Sequence, residues 1–323
     1  MNHDGSVGTA CRLIDAAAEG GVDAVKFQLH LAEAETLPDA PNPPYFNGEP
    51  RLDYFRRTAF TLAQWRRVQV HCKRRGVEFL CSPFSLEAVQ QLEALGLSRY
   101  KIPSGEVTNL PLIERIARTG KPVLLSSGMS SWNELDAAVA AIRRRHRRLT
   151  LLQCTSEYPC PPERVGLNVM AQMRERYRLP VGLSDHTLGN EAAFAAVALG
   201  AAVIEKHFAL SRLGYGSDAQ HSSEPAEFAA LVRGIRAIET MLAHPVHKDD
   251  LHRLRTMKAT FEKSVVSLID IPRGSVLTPQ MLGIKKPGTG LPASRYAEMV
   301  GRRVRRAVAA GRVLTAQDVE GLS

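Results

Sequence analysis

Aromatic residues make up only 6% of this 323-residue chain, and its five cysteines form no CxxC pair. No apolar run approaches the ~20 residues that a membrane-spanning helix needs. The odd cysteine count (Cys11, Cys72, Cys81, Cys154, Cys160) gives no disulfide framework and predicts reduced thiols in a cytoplasmic protein. The start, Met1-Asn2-His3-Asp4-Gly5, shows no basic stretch leading into an apolar one, so no secretory signal is read there. Long internal repeats and low-complexity tracts are also missing.

What is abundant is positive charge, a net +9. Nucleic-acid binding would gather basic residues on one face among aromatics. Here they are scattered. The densest run, residues 143–148, closes an Ala-rich helix, where cations suit the negative end of the helix dipole. The expected partners are therefore small anionic molecules, with no nucleic acid and no membrane.

Short β-rich runs alternate with amphipathic helical stretches, the pattern of parallel strands joined by crossover helices. Strands are expected at 22–27, 77–82, 99–102, 122–126, 149–154, 180–183 and 202–207. Helices are expected at 7–19, 61–75, 86–95, 110–119, 133–145, 191–199 and 228–242. Gly76, Gly96, Gly120 and Gly200 stand where helices should end. Seven strands are one short of a (β/α)8 barrel, and helix 7–19 has only a few residues before it, so the first strand is the one expected to be missing. The connection 31–58 is long, rich in Pro and Asn, and carries Tyr45, Phe46, Tyr54 and Phe55, which suits a functional flap. Residues 1–243 are thus read as the barrel, 244–262 as a linker, and 263–323 as a small β-rich second domain in which 276–278 and 314–318 repeat one idea, each after a Gly turn.

Barrel active sites gather at the C-terminal ends of the strands. The polar residues there are Lys26 and Gln28; Ser82; Lys101, Ser104 and Glu106; Ser126 and Ser127; Thr155, Ser156 and Tyr158; Ser184, Asp185 and His186; and Glu205, Lys206 and His207. Their convergence on one rim points to an enzyme. Lysines, serines and loop N–H groups suit a phosphate-bearing substrate. His186 and His207 end adjacent strands and could share one divalent ion, although each taken singly could be a hydrogen-bonded structural histidine.

Eight collinear runs carry a resemblance: NHDGS (2–6), DAVKFQ (23–28), FLCSPF (79–84), YKIPSGEVTNLPLI (100–113), GKPVLLSSGM (120–129), LLQCTSEYPCPPE (151–163), VGLSDHTLG (181–189) and VIEKHF (203–208). In order and spacing they resemble the sialic acid synthase family, and the tail with KKPGTGL (285–291) is similar to that family's antifreeze-like (SAF) domain. The resemblance implies condensation of phosphoenolpyruvate with an N-acetylated aldose, either N-acetylmannosamine or a 2,4-diacetamido-trideoxy hexose, giving a nine-carbon 2-keto sugar acid and phosphate. It implies manganese or a related divalent ion (Mg2+ or Co2+) on His186 and His207. Lys26, Gln28, Lys101, Ser104, Ser126, Ser156 and Ser184 fall in the set that holds the substrates, with Asn in place of Ser156 in some members. Glu106 matches a carboxylate near the reacting carbons, where it would position water, and Tyr158 and Asp218 match positions at the sugar. The plainer readings pair Glu106 with Lys101 or Lys26 and make Tyr158 a packed loop aromatic.

Three departures stand out. Family members place a strand ending in Ala-Glu-Ile-Gly before the Asn-His motif. Here Asn2-His3 follows Met1 directly, so a start further upstream is expected, and low activity or poor folding without that strand. Residues 216–219 read Gly-Ser-Asp-Ala rather than Gly-Pro-Asp-His, which would aim Asp218 less firmly; His221 is a candidate for the absent histidine's place. Lys286 stands where the family has an Arg that reaches the partner's barrel in a domain-swapped homodimer, and lysine keeps the charge but not the planar fork. Two rival functions are another phosphoenolpyruvate-dependent aldolase on the same barrel and a non-catalytic sugar-binding relative.

Overall fold

In the first 244 residues short strand segments buried on both faces alternate with helices whose buried residues recur every third or fourth position, and the fold follows from burying both. The computed structural model describes residues 1–42 and 48–322, so Tyr45 and Phe46 of the aromatic connection lie outside the described residues. In chain order the first unit contains α1 (Val7–Glu19), β1 (Ala24–Leu29), α2 (Ala32–Glu35), α3 (Arg51–Thr58), α4 (Leu62–Arg74), β2 (Glu78–Pro83), α5 (Leu86–Ala94) and β3 (Tyr100–Ile102). It continues with α6 (Leu110–Arg118), β4 (Val123–Ser126), α7 (Trp132–Arg143), β5 (Leu149–Cys154), α8 (Leu167–Tyr177), β6 (Val181–Asp185), α9 (Glu191–Ala198), β7 (Ile204–Lys206) and α10 (Pro225–Ala243).

The strands form one sheet in the order β1-β2-β3-β4-β5-β6-β7, each parallel to the next. Outward residues such as Tyr100, Ile102, Leu125, Leu151 and Leu183 pack under the helices at no more than 1% exposure, each such burial contributing ~1.5–3 kcal/mol. Inward residues are apolar at one level, where Leu80, Leu124 and Leu152 cluster with Ala24 and Val203. One step toward the strands' C-terminal ends the inward residues become polar. Among the described residues β1 and β7 do not pair, so the curled sheet stays open at that seam, as expected of a barrel one strand short. The seam is lined by Leu13, Ala17, Ala24, Val203, Leu231 and Ile235.

Two stretches differ from expectation. The connection 31–58 is not all loop: it carries α2 and α3, with Tyr54 and Phe55 buried on α3. Asp53 in its first turn and Arg56 and Arg57 in its last match the helix dipole. Helix α8 was also unexpected, although Met170, Met173 and Tyr177 recur at helical spacing and are buried.

The chain divides into compact units 1–244 and 245–323. The second unit adds α11 (Arg255–Phe261), which falls inside the expected linker, then β8 (Ser264–Ser267), β9 (Leu282–Lys285) and α12 (Tyr296–Met299). β8 and β9 pair antiparallel over a core that includes Val265, Ile271, Leu282, Met299 and Val304. The two similar runs behave alike: Leu277 and Leu314 are buried, and Thr278 and Thr315 each precede a single 3-10 turn. Among the described residues no helix is long and apolar enough to cross a membrane.

Candidate active site

Strand periodicity builds the site. On β1 the residues on Ala24's side are Lys26 and Gln28; beyond Leu124 comes Ser126, beyond Leu152 comes Cys154, beyond Gly182 come Ser184 and His186, and beyond Val203 come Glu205 and His207. Each step of two moves one level up the barrel without leaving its interior. A cavity of about 1170 Å³ gathers Lys26, Gln28, Lys101, Ser104, Ser126, Ser156, Tyr158, Ser184, His186, His207 and Asp218 on its wall.

At its floor Glu205 bridges both lysines, with Oε1 2.8 Å from Lys26 Nζ and Oε2 2.9 Å from Lys101 Nζ. Burial works against the Glu205 carboxylate, but the two ammonium groups outweigh it and hold its pKa well below the ordinary range. Lys101, 3% exposed, is the deeper lysine, and burial draws its pKa below the usual lysine value despite Glu205. For Lys26, 22% exposed, burial is opposed by Glu205, which prevails and raises it. Two cations sharing one anion leave a net positive charge facing the cavity. Ser126 Oγ lies buried beside them without a hydrogen-bond partner among the described residues, an orphaned hydroxyl suited to an incoming ligand. Opposite, Ser104 Oγ accepts from the Gly128 N–H at 3.0 Å. A Cβ on Gly128 would lie 2.3 Å from Ser156 Oγ and 2.6 Å from Ser104 Oγ, so only glycine lets both serines close on that backbone.

At the upper level His186 Nδ1 donates to the Thr155 carbonyl at 2.7 Å, so in the neutral ring the lone pair is on Nε2; burial works against the charged ring, but Cys154 and that carbonyl outweigh it and raise the His186 pKa. Burial pushes the His207 pKa down to about 3 against the pull of Asp218, so this ring is neutral. The two imidazole centres are 5.3 Å apart. That separation, the fixed Nδ1–H of His186 and the neutral His207 ring fit a shared divalent ion with positions left open. No cluster of three or more His, Cys, Asp or Glu side chains forms a closed metal cage among the described residues. Tyr158 packs on both rings, at 4.2 Å from His186 and 5.8 Å from His207, and its ring centre is 6.4 Å from that of His221. Asp218 Oδ2 lies 3.9 Å from His207 Nδ1 and accepts from the Met1 α-amino group at 2.8 Å. Burial opposes the Asp218 charge, yet the Met1 ammonium and His207 hold its carboxyl well below the usual range.

Two residues named from the sequence are not part of this wall. Glu106 is not among the lining residues: its Oε2 accepts from Asn109 Nδ2 at 2.7 Å, because the turn 104–106 carries it onto the start of α6. Nor does it pair with either lysine, since Glu205 occupies both. Lys286 belongs to the other unit, where its ammonium sits 4.9 Å from the centre of the Phe261 ring.

Some contributors carry no role in the sequence reading. Glu205 and Cys154 share inward parity with His207 and Leu152, and that parity was the available signal. Cys154 Sγ lies 3.9 Å from His186 Nδ1 and accepts from Ser104 Oγ at 3.4 Å. Asp185 and Lys206, each next to one of the histidines, form a buried ion pair at 2.6 Å that ties β6 to β7 just where both imidazoles project.

Residues 13–247 match the NeuB family, and residues 262–320 match the SAF domain. The N,N'-diacetyllegionaminic acid synthase of Campylobacter jejuni is 37% identical over 94% of this chain and 92% of its own length. The human N-acetylneuraminate-9-phosphate synthase is 34% identical over 94% of this chain and 86% of its own. The crystal structure of an N-acetylneuraminic acid synthetase from Leptospira borgpetersenii, in complex with citrate, superposes with a TM-score of 0.70 at 28% identity, covering 80% of this chain and 87% of that one.

Proposed function

The chain belongs to the NeuB family, whose matched relatives here are sugar-acid synthases, and from that premise we propose that it condenses phosphoenolpyruvate with an N-acetylated aldose. The product is a nine-carbon 2-keto sugar acid, and inorganic phosphate is released. The observation that carries this reading is the pair of lysines held by Glu205 in one cavity with two neighbouring imidazoles.

Lys26 and Lys101 bind the anionic end of the enol phosphate, with the Ser104, Ser126 and Ser184 hydroxyls and Gln28 completing its hydrogen bonds. Glu205 keeps both ammonium groups aimed at one point, so little reorganisation is needed when charge builds. Carbon 3 of phosphoenolpyruvate forms the new bond to the aldehyde carbon, water adds at carbon 2, and the bond from carbon 2 to the phosphate oxygen breaks. The lysines stabilise the departing phosphate. His186 and His207 would hold a divalent ion of the manganese type, which when bound supplies Lewis-acid polarisation of the open-chain aldehyde. Tyr158 shields that side from water, and Asp218 accepts a sugar hydroxyl. The homodimer and the Lys286 contact implied by the family resemblance belong to the same proposal, and light scattering giving twice the chain mass supports the first.

The test is phosphate release from phosphoenolpyruvate with manganese and a panel of N-acetylated aldoses. Release with at least one sugar is expected, and Lys101→Met should lower kcat/KM by about 100-fold or more. Release with none of them overturns the reading.

A further inference from the structure

The turn that carries Asp218 is gripped by helix α3. Residues 211–218 run without helix or strand and include Gly214 and Gly216, so little in the segment itself fixes its path. Its outer side meets Arg57, in the last turn of α3. The Arg57 guanidinium lies 5.6 Å from the Tyr215 ring centre and 5.5 Å from that of Tyr54. The same group makes a two-pronged contact with Glu49, at 2.6 Å and 3.3 Å, and reaches Asp4 Oδ1 at 2.8 Å. Tyr215 Oη donates to Glu49 Oε1 at 3.1 Å, and Gly48 leaves the room, since an added Cβ would lie 2.5 Å from that hydroxyl. Two residues on, Ser217 meets the Tyr54 hydroxyl through its backbone and its side chain, and its own hydroxyl donates to Asp218 Oδ1 at 3.3 Å. Tyr54 is 2% exposed, and the adjacent Phe55 stacks on His30 of the cavity wall at 4.1 Å. Helix α3 is thus tied to the barrel through one ring and to the turn through the other.

Resting on the condensation reading for what Asp218 binds, we propose that Arg57, Tyr54 and Tyr215 form a clamp that positions Asp218, with Arg57 at its centre. A lone surface ion pair contributes little. This guanidinium differs, because one planar group engages two carboxylates and two rings, and its loss releases all four contacts together. Backbone entropy opposes order in a turn with two glycines, and the clamp offsets that entropy before any substrate arrives. Arg57 and Tyr215 are not among the residues that line the cavity, so they act through Asp218 rather than on a substrate. The Met1 α-amino group meets Asp218 Oδ2 separately, at 2.8 Å. That contact holds one carboxylate oxygen, whereas the clamp holds the backbone beneath it. A binding group displaced by about 1 Å can cost about 100-fold in rate, which is why a device outside the cavity matters to the chemistry inside it.

The experiment uses the whole chain, a double-mutant cycle and hydrogen exchange read by mass spectrometry. Arg57→Met should raise the KM of the best aldose in the panel about 10-fold and move that of phosphoenolpyruvate less than about 2-fold. In an Asp218→Asn background the same substitution should raise the aldose KM no further, because its effect passes through Asp218. Exchange across 213–218 should quicken about 10-fold in Arg57→Met and in Tyr215→Leu, with β3 and β4 unchanged. If Arg57→Met does not fold, Tyr215→Leu carries the same cycle. An equal rise in aldose KM in both backgrounds, or unchanged exchange across 213–218, overturns the clamp and leaves the condensation standing. If no aldose releases phosphate, the condensation reading fails instead, and exchange alone decides the clamp.

Discussion

Single side chains in this site are set by what burial does to charge. Glu35 shows it most plainly: burial pushes its carboxyl up to about 8, while the Arg51 charge pulls the other way. In the unfolded chain the same carboxyl titrates near 4.5, its ordinary value. Below that pH both states keep the proton and Glu35 leaves stability unchanged with pH. As pH rises from about 4.5 to about 8 the unfolded chain releases a proton that the folded chain retains, so stability falls by up to about 1.4 kcal/mol per pH unit. Glu35→Gln has no such proton to lose. Urea midpoints of the variant should therefore decline less than those of the parent between pH 5 and pH 8, and equal declines would show that Glu35 is not desolvated as described. Glu205 follows the opposite logic, since its carboxylate is kept charged by two lysines that would otherwise repel each other across the floor.

At the scale of elements, the approach of β6 to β7 decides whether His186 and His207 can act together. Their Cα pairing runs from Leu183 and Ile204 to Asp185 and Lys206, and the buried Asp185–Lys206 pair locks its end. The start of this contact depends on Gly182, where an added Cβ would lie 2.2 Å from the Val203 carbonyl oxygen and 2.8 Å from Leu152 Cδ2. Backbone cannot yield as a flexible side chain does. Gly182→Ala should cost about 2 kcal/mol or more by overpacking, and should widen the gap between the imidazoles. Denaturation shows the first effect and weakened manganese binding by calorimetry the second; unchanged values for both would mean the sheet adapts at no cost. The helices α4 and α7 need less tertiary help, because Thr61 with Gln64 and Ser131 with Glu134 form complete capping boxes.

For the whole molecule, the two units have separate cores, and the segment between them is thinly held. Residues 245–251 carry neither helix nor strand and are exposed, as are Arg253 and Arg255 just beyond. Trypsin should cut first at Lys248, Arg253 or Arg255, giving two fragments that each keep their secondary structure in circular dichroism. A first cut inside 1–244 would contradict the division. Among the described residues neither core is built from residues of the other unit, and the family and domain matches, 13–247 and 262–320, leave most of this segment between them.

Sequence alone determined the alternation of strand and helix, because short strands buried on both faces and helices buried on one face leave different marks in the order of residues. It also determined which strand ends carry lysine, serine and histidine, since a side chain's parity on a strand fixes its face once the strand is placed. It could not decide which charges meet. That Glu205 rather than Glu106 neutralises Lys26 and Lys101, or that His30 is clamped between Phe55 and Phe84, depends on contacts between residues tens to well over a hundred positions apart. Such contacts arise only when the sheet curls and brings its strand ends to one rim. Local pattern encodes the elements; their closure in space decides the chemistry.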